Sequence, residues 1–182
     1  HKWNRAYNLT AIRSPEEMVA RHLLDSAAVL PFVDGGALLD VGAGPGLPGL
    51  VLAILQPNLS VTLLDSNGKK VRFQRQAMME LGLGNVTPVQ ARVEAFEPPT
   101  GGYAQVISRA FASLADFVQL TDHLLAPGGH WLAMKGPAAD EELAALEAGL
   151  IVRERHRLEV PFTAGERQLL IVERTDSNPG RQ

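Results

Sequence analysis

Asp40 to Gly49 reads DVGAGPGLPG, with glycine at 42, 44, 46 and 49, directly after the apolar run that starts at Ala37. That is the composition of a strand running into a turn that grips a nucleotide. Glycines let the backbone approach a ligand closely and adopt positive φ, and a helix starting beyond them presents its amide hydrogens. Two signatures overlap in the stretch. G-x-G-x-x-G from Gly44 to Gly49 is the dinucleotide fingerprint, whereas D-x-G-x-G-x-G from Asp40 to Gly46 is the signature of S-adenosylmethionine sites. One implies hydride transfer and the other methyl transfer.

Asp65, 19 residues after Gly46, closes the next apolar run. A carboxylate there can accept hydrogen bonds from both hydroxyls of a ribose, which either cofactor carries. Its plain alternative is a cap for the helix beginning near Asn67. Arg92-Val93-Glu94 follows the third strand-like run, where a side chain could meet an adenine edge or simply occupy an exposed turn.

Elements of two kinds alternate around these residues, which is the pattern of a doubly wound α/β sheet. Ser14-Pro15-Glu16-Glu17 reads as a capped helix start, leading into an amphipathic helix that ends near Pro31. Buried strands are expected at Ala37 to Val41, Val61 to Leu64, Val86 to Val89, Tyr103 to Ile107 and Trp131 to Met134. Helices at about Pro48 to Leu55, Asn67 to Leu81, Ser113 to Leu125 and Ala138 to Glu147 are long enough for right-handed crossovers between parallel strands. Leu124 to Gly129 reads as a purely structural turn into the fifth strand. Beyond Leu150, Val152 to Val160 and Arg167 to Arg174 read as an antiparallel hairpin closing one edge. The ligand of such a sheet lies beyond the carboxyl ends of its strands, where the order reverses, and that is where Asp40 to Gly49 stands.

Composition narrows the chemistry. The 182 residues, 46% of them hydrophobic, suit one domain: a helical segment over 1–36 and a nucleotide-binding core over 37–182. No apolar stretch is long enough to span a bilayer and the first ten residues are too polar for a signal peptide, so a cytoplasmic protein is expected. The absence of cysteine excludes disulfides, thiolate metal sites and thiol catalysis. With 17 Lys and Arg against 20 Asp and Glu, a net charge of −3, RNA would have to be held by a local patch. Lys69, Lys70, Arg72 and Arg75 on one helix, or Arg153, Arg155 and Arg157 along one face of a strand, could supply it or could be ordinary solvated faces. His22 and Asp25 stand close enough on the first helix to pair, and no metal site is expected.

WNRAYNLT (Trp3 to Thr10), RHLLDS (Arg21 to Ser26), DVGAGPGLPG, LLDS (Leu63 to Ser66), RVE (Arg92 to Glu94), SRAFASL (Ser108 to Leu114) and MKG (Met134 to Gly136) occur in this order. Together they resemble the bacterial small-subunit ribosomal RNA guanine-N7 methyltransferases, also called glucose-inhibited division protein B. The resemblance covers nearly the whole chain. It implies a Rossmann-like class I fold that moves a methyl group from S-adenosylmethionine to a guanine N7 of small-subunit RNA, free or in the assembling subunit; a monomer is expected. It also implies that Gly42, Gly44 and Leu47 line the cofactor, that Asp65 holds its ribose and that Val93 and Glu94 meet its adenine. Arg109 would lie beside the transferred methyl, as a candidate clamp on guanine O6, unless it merely closes a salt bridge. Family members usually begin with a further helical segment, so part of an RNA-binding surface is expected to be missing ahead of His1. Two other readings stay open here, an NAD-dependent oxidoreductase and a ribosome-assembly factor without turnover.

Overall fold

The computed structural model describes residues 22–109, 111, 113–159 and 166–175. The start of the first expected helix, at Ser14 to Glu17, lies outside them. What is described of it is α1 (Leu24–Ala28), followed by a short turn at Leu30–Phe32. The chain then alternates through β1 (Gly36–Val41), α2 (Gly49–Leu55), β2 (Leu59–Asp65), α3 (Gly68–Leu81), β3 (Val86–Gln90), β4 (Tyr103–Ser108), α4 (Leu114–Thr121), β5 (Leu125–Lys135) and α5 (Ala139–Ala144). A closing pair, β6 (Leu150–Arg157) and β7 (Gln168–Arg174), completes one seven-stranded sheet of order β3-β2-β1-β4-β5-β7-β6. β1 to β5 are parallel, and β7 pairs antiparallel with both β5 and β6. The expected doubly wound sheet with a terminal hairpin is thus found, and its order reverses between β1 and β4.

Period-two alternation sorts the strand residues onto two cores. Leu38, Leu63, Ile107 and Leu132 face one side with Leu50 and Leu52 of α2, while Leu39, Val41, Val106 and Trp131 face the other with Phe117 of α4. Burying each such side chain is worth roughly 1.5–3 kcal/mol. Trp131, fully buried, donates its ring N–H to Thr121 Oγ1 at 2.9 Å, so its polar edge is satisfied.

Two expectations fail by shifts at element ends. Helix α4 stops at Thr121 and β5 begins at Leu125, because Leu125 pairs with Tyr103 before the chain loops out and rejoins at the His130–Gln105 pair. Gly129 permits this crossing, since a Cβ there would stand 2.8 Å from the Ala104 carbonyl. In β6 the register slips between Val152 and Glu154. Leu150 and Val152 therefore pack on the α4 side, whereas Leu158 joins the other core. Arg153 and Arg155 consequently leave on opposite faces: Arg153 reaches Glu173 at 3.5 Å, and Arg155 reaches Asp140, at the start of α5, at 2.7 Å. The expected single basic face of this strand is not formed.

Candidate active site

The turn after β1 is pinned from several directions. Gly42, Gly44 and Gly46 take φ of +67°, +53° and +91°, the left-handed region that favours glycine. The Gly42 and Ala43 amides donate to the Leu64 carbonyl at 2.8 and 3.1 Å. The Gly44 amide donates to Asp65 Oδ2 at 2.9 Å, and its carbonyl accepts from the buried Gln74 side chain of α3 at 2.8 Å. Asp65 Oδ1 accepts from the Asn67 amide at 2.9 Å. Asn67, rather than Asp65, caps α3, its side chain accepting from the Lys69 and Lys70 amides.

The two overlapping signatures turn out to describe one structure. Gly49 opens α2, and its amide donates to Asp40 Oδ2 at 2.8 Å. A Cβ at Gly49 would stand 2.4 Å from Leu63 and 2.9 Å from Asp40 Oδ2, so the last glycine of the fingerprint allows helix and strand to touch. Asp40 is fully buried, and its Oδ1 has no hydrogen-bond partner among the described residues. Burial pushes its carboxyl from 3.8 up to about 8, against the lowering effect of the Gly49 bond and the Arg109 charge. Burial also disfavours the charged form of the Arg109 guanidinium, which Asp40 and Asp25 oppose.

Two concavities lie at this end of the sheet. A cleft of about 170 Å³ is lined by Gly42, Asp65, Val93 and Glu94, with Leu64 and Phe111. It brings together four of the sequence-derived cofactor residues. Gly44 acts behind it, by orienting Asp65, while Leu47 is half-buried in the turn and lines neither concavity. Arg109 instead lines a second cavity, of about 310 Å³, with His22, Asp25, Lys135, Glu166 and Arg167. Arg109 and Phe111 both follow β4, Arg109 lining the second cavity and Phe111 the cleft. Lys135 holds Phe111 by donating to its carbonyl at 3.2 Å and pairs with Glu142 at 2.9 Å. The same Glu142 oxygen accepts from the Leu114 amide at the start of α4 at 3.0 Å.

Several of these partnerships were not read from the sequence. His22 and Asp25, expected within reach of each other, each take a partner from far along the chain. His22 Nδ1 lies 2.7 Å from an Arg109 terminal nitrogen, and Asp25 receives Arg167 Nε at 3.0 and 3.1 Å. Among the described residues Arg109 makes this histidine contact and not the expected alternative, a direct salt bridge to a carboxylate. The RHLLDS and MKG segments carried the relevant residues, but nothing in their spacing linked them to Arg109 or Arg167.

A family model described as rRNA small subunit methyltransferase G, or GidB, matches residues 1–171. The chain belongs to that family. Ribosomal RNA small subunit methyltransferase G of Chromohalobacter salexigens is 66% identical over 174 residues, covering 96% of this chain and 83% of that protein. The protein of the same name from Stenotrophomonas maltophilia is 56% identical over 172 residues, covering 94% and 81%. Among solved structures, a SAM-dependent methyltransferase from Aquifex aeolicus superposes with a TM-score of 0.68 at 18% identity, over 91% of this chain and 96% of its own. TrmN from Thermus thermophilus gives 0.65 at 20% identity, over 86% and 53%. These last two likenesses concern the fold.

As a member of the methyltransferase G family the protein is a methyltransferase whose methyl donor is S-adenosylmethionine. The nicotinamide reading of Gly44 to Gly49 is set aside accordingly. The residues present fit such a group. Each Asp65 carboxylate oxygen accepts one backbone amide, and since an ionised carboxylate offers about four acceptor positions, two remain for a diol. The half-exposed apolar sides of Val93 and Phe111 flank the same cleft. Among the described residues no helix is long and apolar enough to cross a membrane, and no group of three or more His, Cys, Asp or Glu side chains is placed to hold a metal ion.

Proposed function

We propose that the protein methylates N7 of a guanine in small-subunit ribosomal RNA, with the cofactor in the Asp65 cleft and the base in the Arg109 cavity. The observation that carries this reading is adjacency in the chain: a cavity lined by guanidinium groups takes Arg109, and a cleft suited to a nucleoside takes Phe111, two residues further on. S-adenosylmethionine supplies the activated methyl group when bound. Asp65 holds the ribose, Val93 and Glu94 flank the adenine, and Gly42 lets the backbone come close. Guanine N7 carries an in-plane lone pair and is an acceptor on the major-groove edge, so it forms a bond to carbon without first losing a proton. The sulfur keeps the electron pair of the bond that breaks, and the positive charge passes to the purine.

Two of the cavity's titratable side chains are engaged, Asp25 by Arg167 and His22 by Arg109. What this chemistry needs is alignment, and orientation of that kind supplies roughly 7–11 kcal/mol in well-ordered systems. Arg109, held at its tip by His22, donates to O6 beside N7. For the RNA surface, the first turns of α3 are favoured over β6, because Arg153 and Arg155 are tied to Glu173 and Asp140. Lys69 and Arg72 are exposed on the first turns of α3, which follows the cleft residue Ser66 in the chain.

Nucleoside mass spectrometry tests the reading on RNA from cells lacking the enzyme and then resupplied with it. The expected result is restored 7-methylguanosine in small-subunit RNA. Methylation at N1, N2 or O6, or none, refutes it. Arg109→Ala is expected to lower kcat more than cofactor affinity, since an interaction made mainly in the transition state acts on kcat.

A further inference from the structure

Among the described residues, Glu166 is the acidic residue of this cavity that forms no ion pair. Asp25 is neutralised by Arg167, whereas Glu166 Oε1 accepts from the Gln168 side-chain amide at 2.7 Å. Gln168 is itself held, its Oε1 accepting from Arg155 Nε at 2.6 Å, and Arg155 is braced by Asp140 at 2.7 Å. The Glu166 backbone carbonyl accepts from Arg167 at 3.5 Å. A chain of side chains from α5 through β6 and β7 thus fixes the direction of this carboxylate. Its Oε2 has no partner among the described residues.

A carboxylate facing a polyanion is repelled unless it accepts hydrogen bonds from the bases themselves. Enzymes that act on a base commonly draw it out of its stack and read its Watson–Crick edge. On that edge guanine presents two adjacent donors, N1–H and the 2-amino group, whereas adenine presents a lone pair at N1. The adjoining edge carries N7 and O6, the atoms that Arg109 and the cofactor cleft require. The cavity, at about 310 Å³, sits at the lower end of the roughly 300–1,000 Å³ typical of ligand pockets, which suits one base.

We propose that Glu166 selects guanine by accepting N1–H and the 2-amino group of the target base in the cavity it shares with Arg109. This rests on the reading of that cavity as the guanine site, and it adds a specificity-determining residue at a different edge from the reacting atom. Glu166→Gln is nearly isosteric: its amide oxygen can still serve Gln168, but its NH₂ then meets the two donors of guanine.

The test compares the wild-type protein and Glu166→Gln on two RNA substrates. One carries guanosine at the methylated position, mapped by mass spectrometry, and the other carries inosine there, which lacks the 2-amino group. The wild type is expected to lose about tenfold or more in kcat/KM on inosine, the scale for losing a charge-assisted hydrogen bond. Glu166→Gln is expected to lose at least as much on guanosine and little further on inosine, with the Kd for S-adenosylmethionine unchanged. Wild-type kcat/KM for Glu166→Gln on guanosine, indifference of the wild type to inosine, or full additivity of the two losses overturns the proposal. The inosine arm uses the unaltered protein, so it stands even if the variant folds poorly. Failure of the wild type to make 7-methylguanosine on the guanosine substrate would instead overturn the N7 assignment, and is read separately.

Discussion

Replacing Asp40 with asparagine should stabilise the protein, and increasingly so as the pH rises. Asp40 sits fully buried in the last turn of β1, and burial raises its carboxyl from 3.8 to about 8. In the unfolded chain the carboxylate ionises freely above pH 4, whereas in the folded protein it holds its proton until about pH 8. The folded state therefore binds more protons across that window, and stability falls as the pH climbs through it. At about 1.4 kcal/mol per pH unit, the full loss is on the order of 5–6 kcal/mol above pH 8, most of it already present at pH 7. Asp40→Asn keeps the shape and the acceptor for the Gly49 amide but never ionises. Its side-chain NH₂ takes the place of Oδ1, which is already without a partner, so the buried unsatisfied atom is not a new cost. Urea unfolding from pH 5 to pH 9 checks this. The wild-type free energy should fall across the range, and the variant should be nearly flat and more stable by several kcal/mol at pH 8. Parallel profiles for the two proteins, or a less stable variant at pH 8, would refute the reasoning.

Asp65→Ala should weaken S-adenosylmethionine binding ten- to a hundredfold, as expected for about 1.5–3 kcal/mol of charge-assisted bonding, measured by calorimetry. It should also lower Tm, because the carboxylate holds the Gly44 and Asn67 amides. An unchanged Kd in a folded variant would remove Asp65 from the ribose site. Gly49→Ala should cost about 1–3 kcal/mol by driving α2 off β2, since its Cβ would stand 2.4 Å from Leu63; an unchanged urea midpoint would show that the helix has room to move. Charge reversal of Lys69, Lys70 and Arg72 together should reduce RNA affinity and flatten its salt dependence while sparing cofactor affinity. Filter binding across a salt series tests this, and undiminished affinity would move the RNA surface away from α3.

How far the site could be read in advance follows from how local each determinant is. The turn at Asp40 to Gly49 and the carboxylate at Asp65 were legible because glycine spacing and strand periodicity are short-range signals, and the structure places both beside one cleft. An aspartate inside the otherwise apolar ALLDV strand was the available hint that Asp40 would be buried. The Arg109 cavity was not legible, because its partnerships span the chain: Asp25 and Arg167 are 142 residues apart, and His22 and Arg109 are 87 apart. No pattern within a window of ten residues records such a pairing. The slip at Arg153 was hidden for a related reason. The basic run from Arg153 to Arg157 alternates perfectly as written, and only the partner strand β7 shows that one residue is extra.

With the methyl donor in the Asp65 cleft and the base in the Arg109 cavity, as proposed, the two ligands would stand under thermodynamic linkage. Phe111 of the cleft is tied through Lys135 to the end of β5 and to Glu142 of α5. Arg109 of the cavity is two residues away in the chain, so a ligand that displaces one would act on the other. Whatever factor the methyl donor applies to RNA affinity, RNA applies the same factor to the donor. Once the methyl group has been transferred, the spent donor and the modified base would stand in the same reciprocal relation, so whichever departs first sets the affinity with which the other is held.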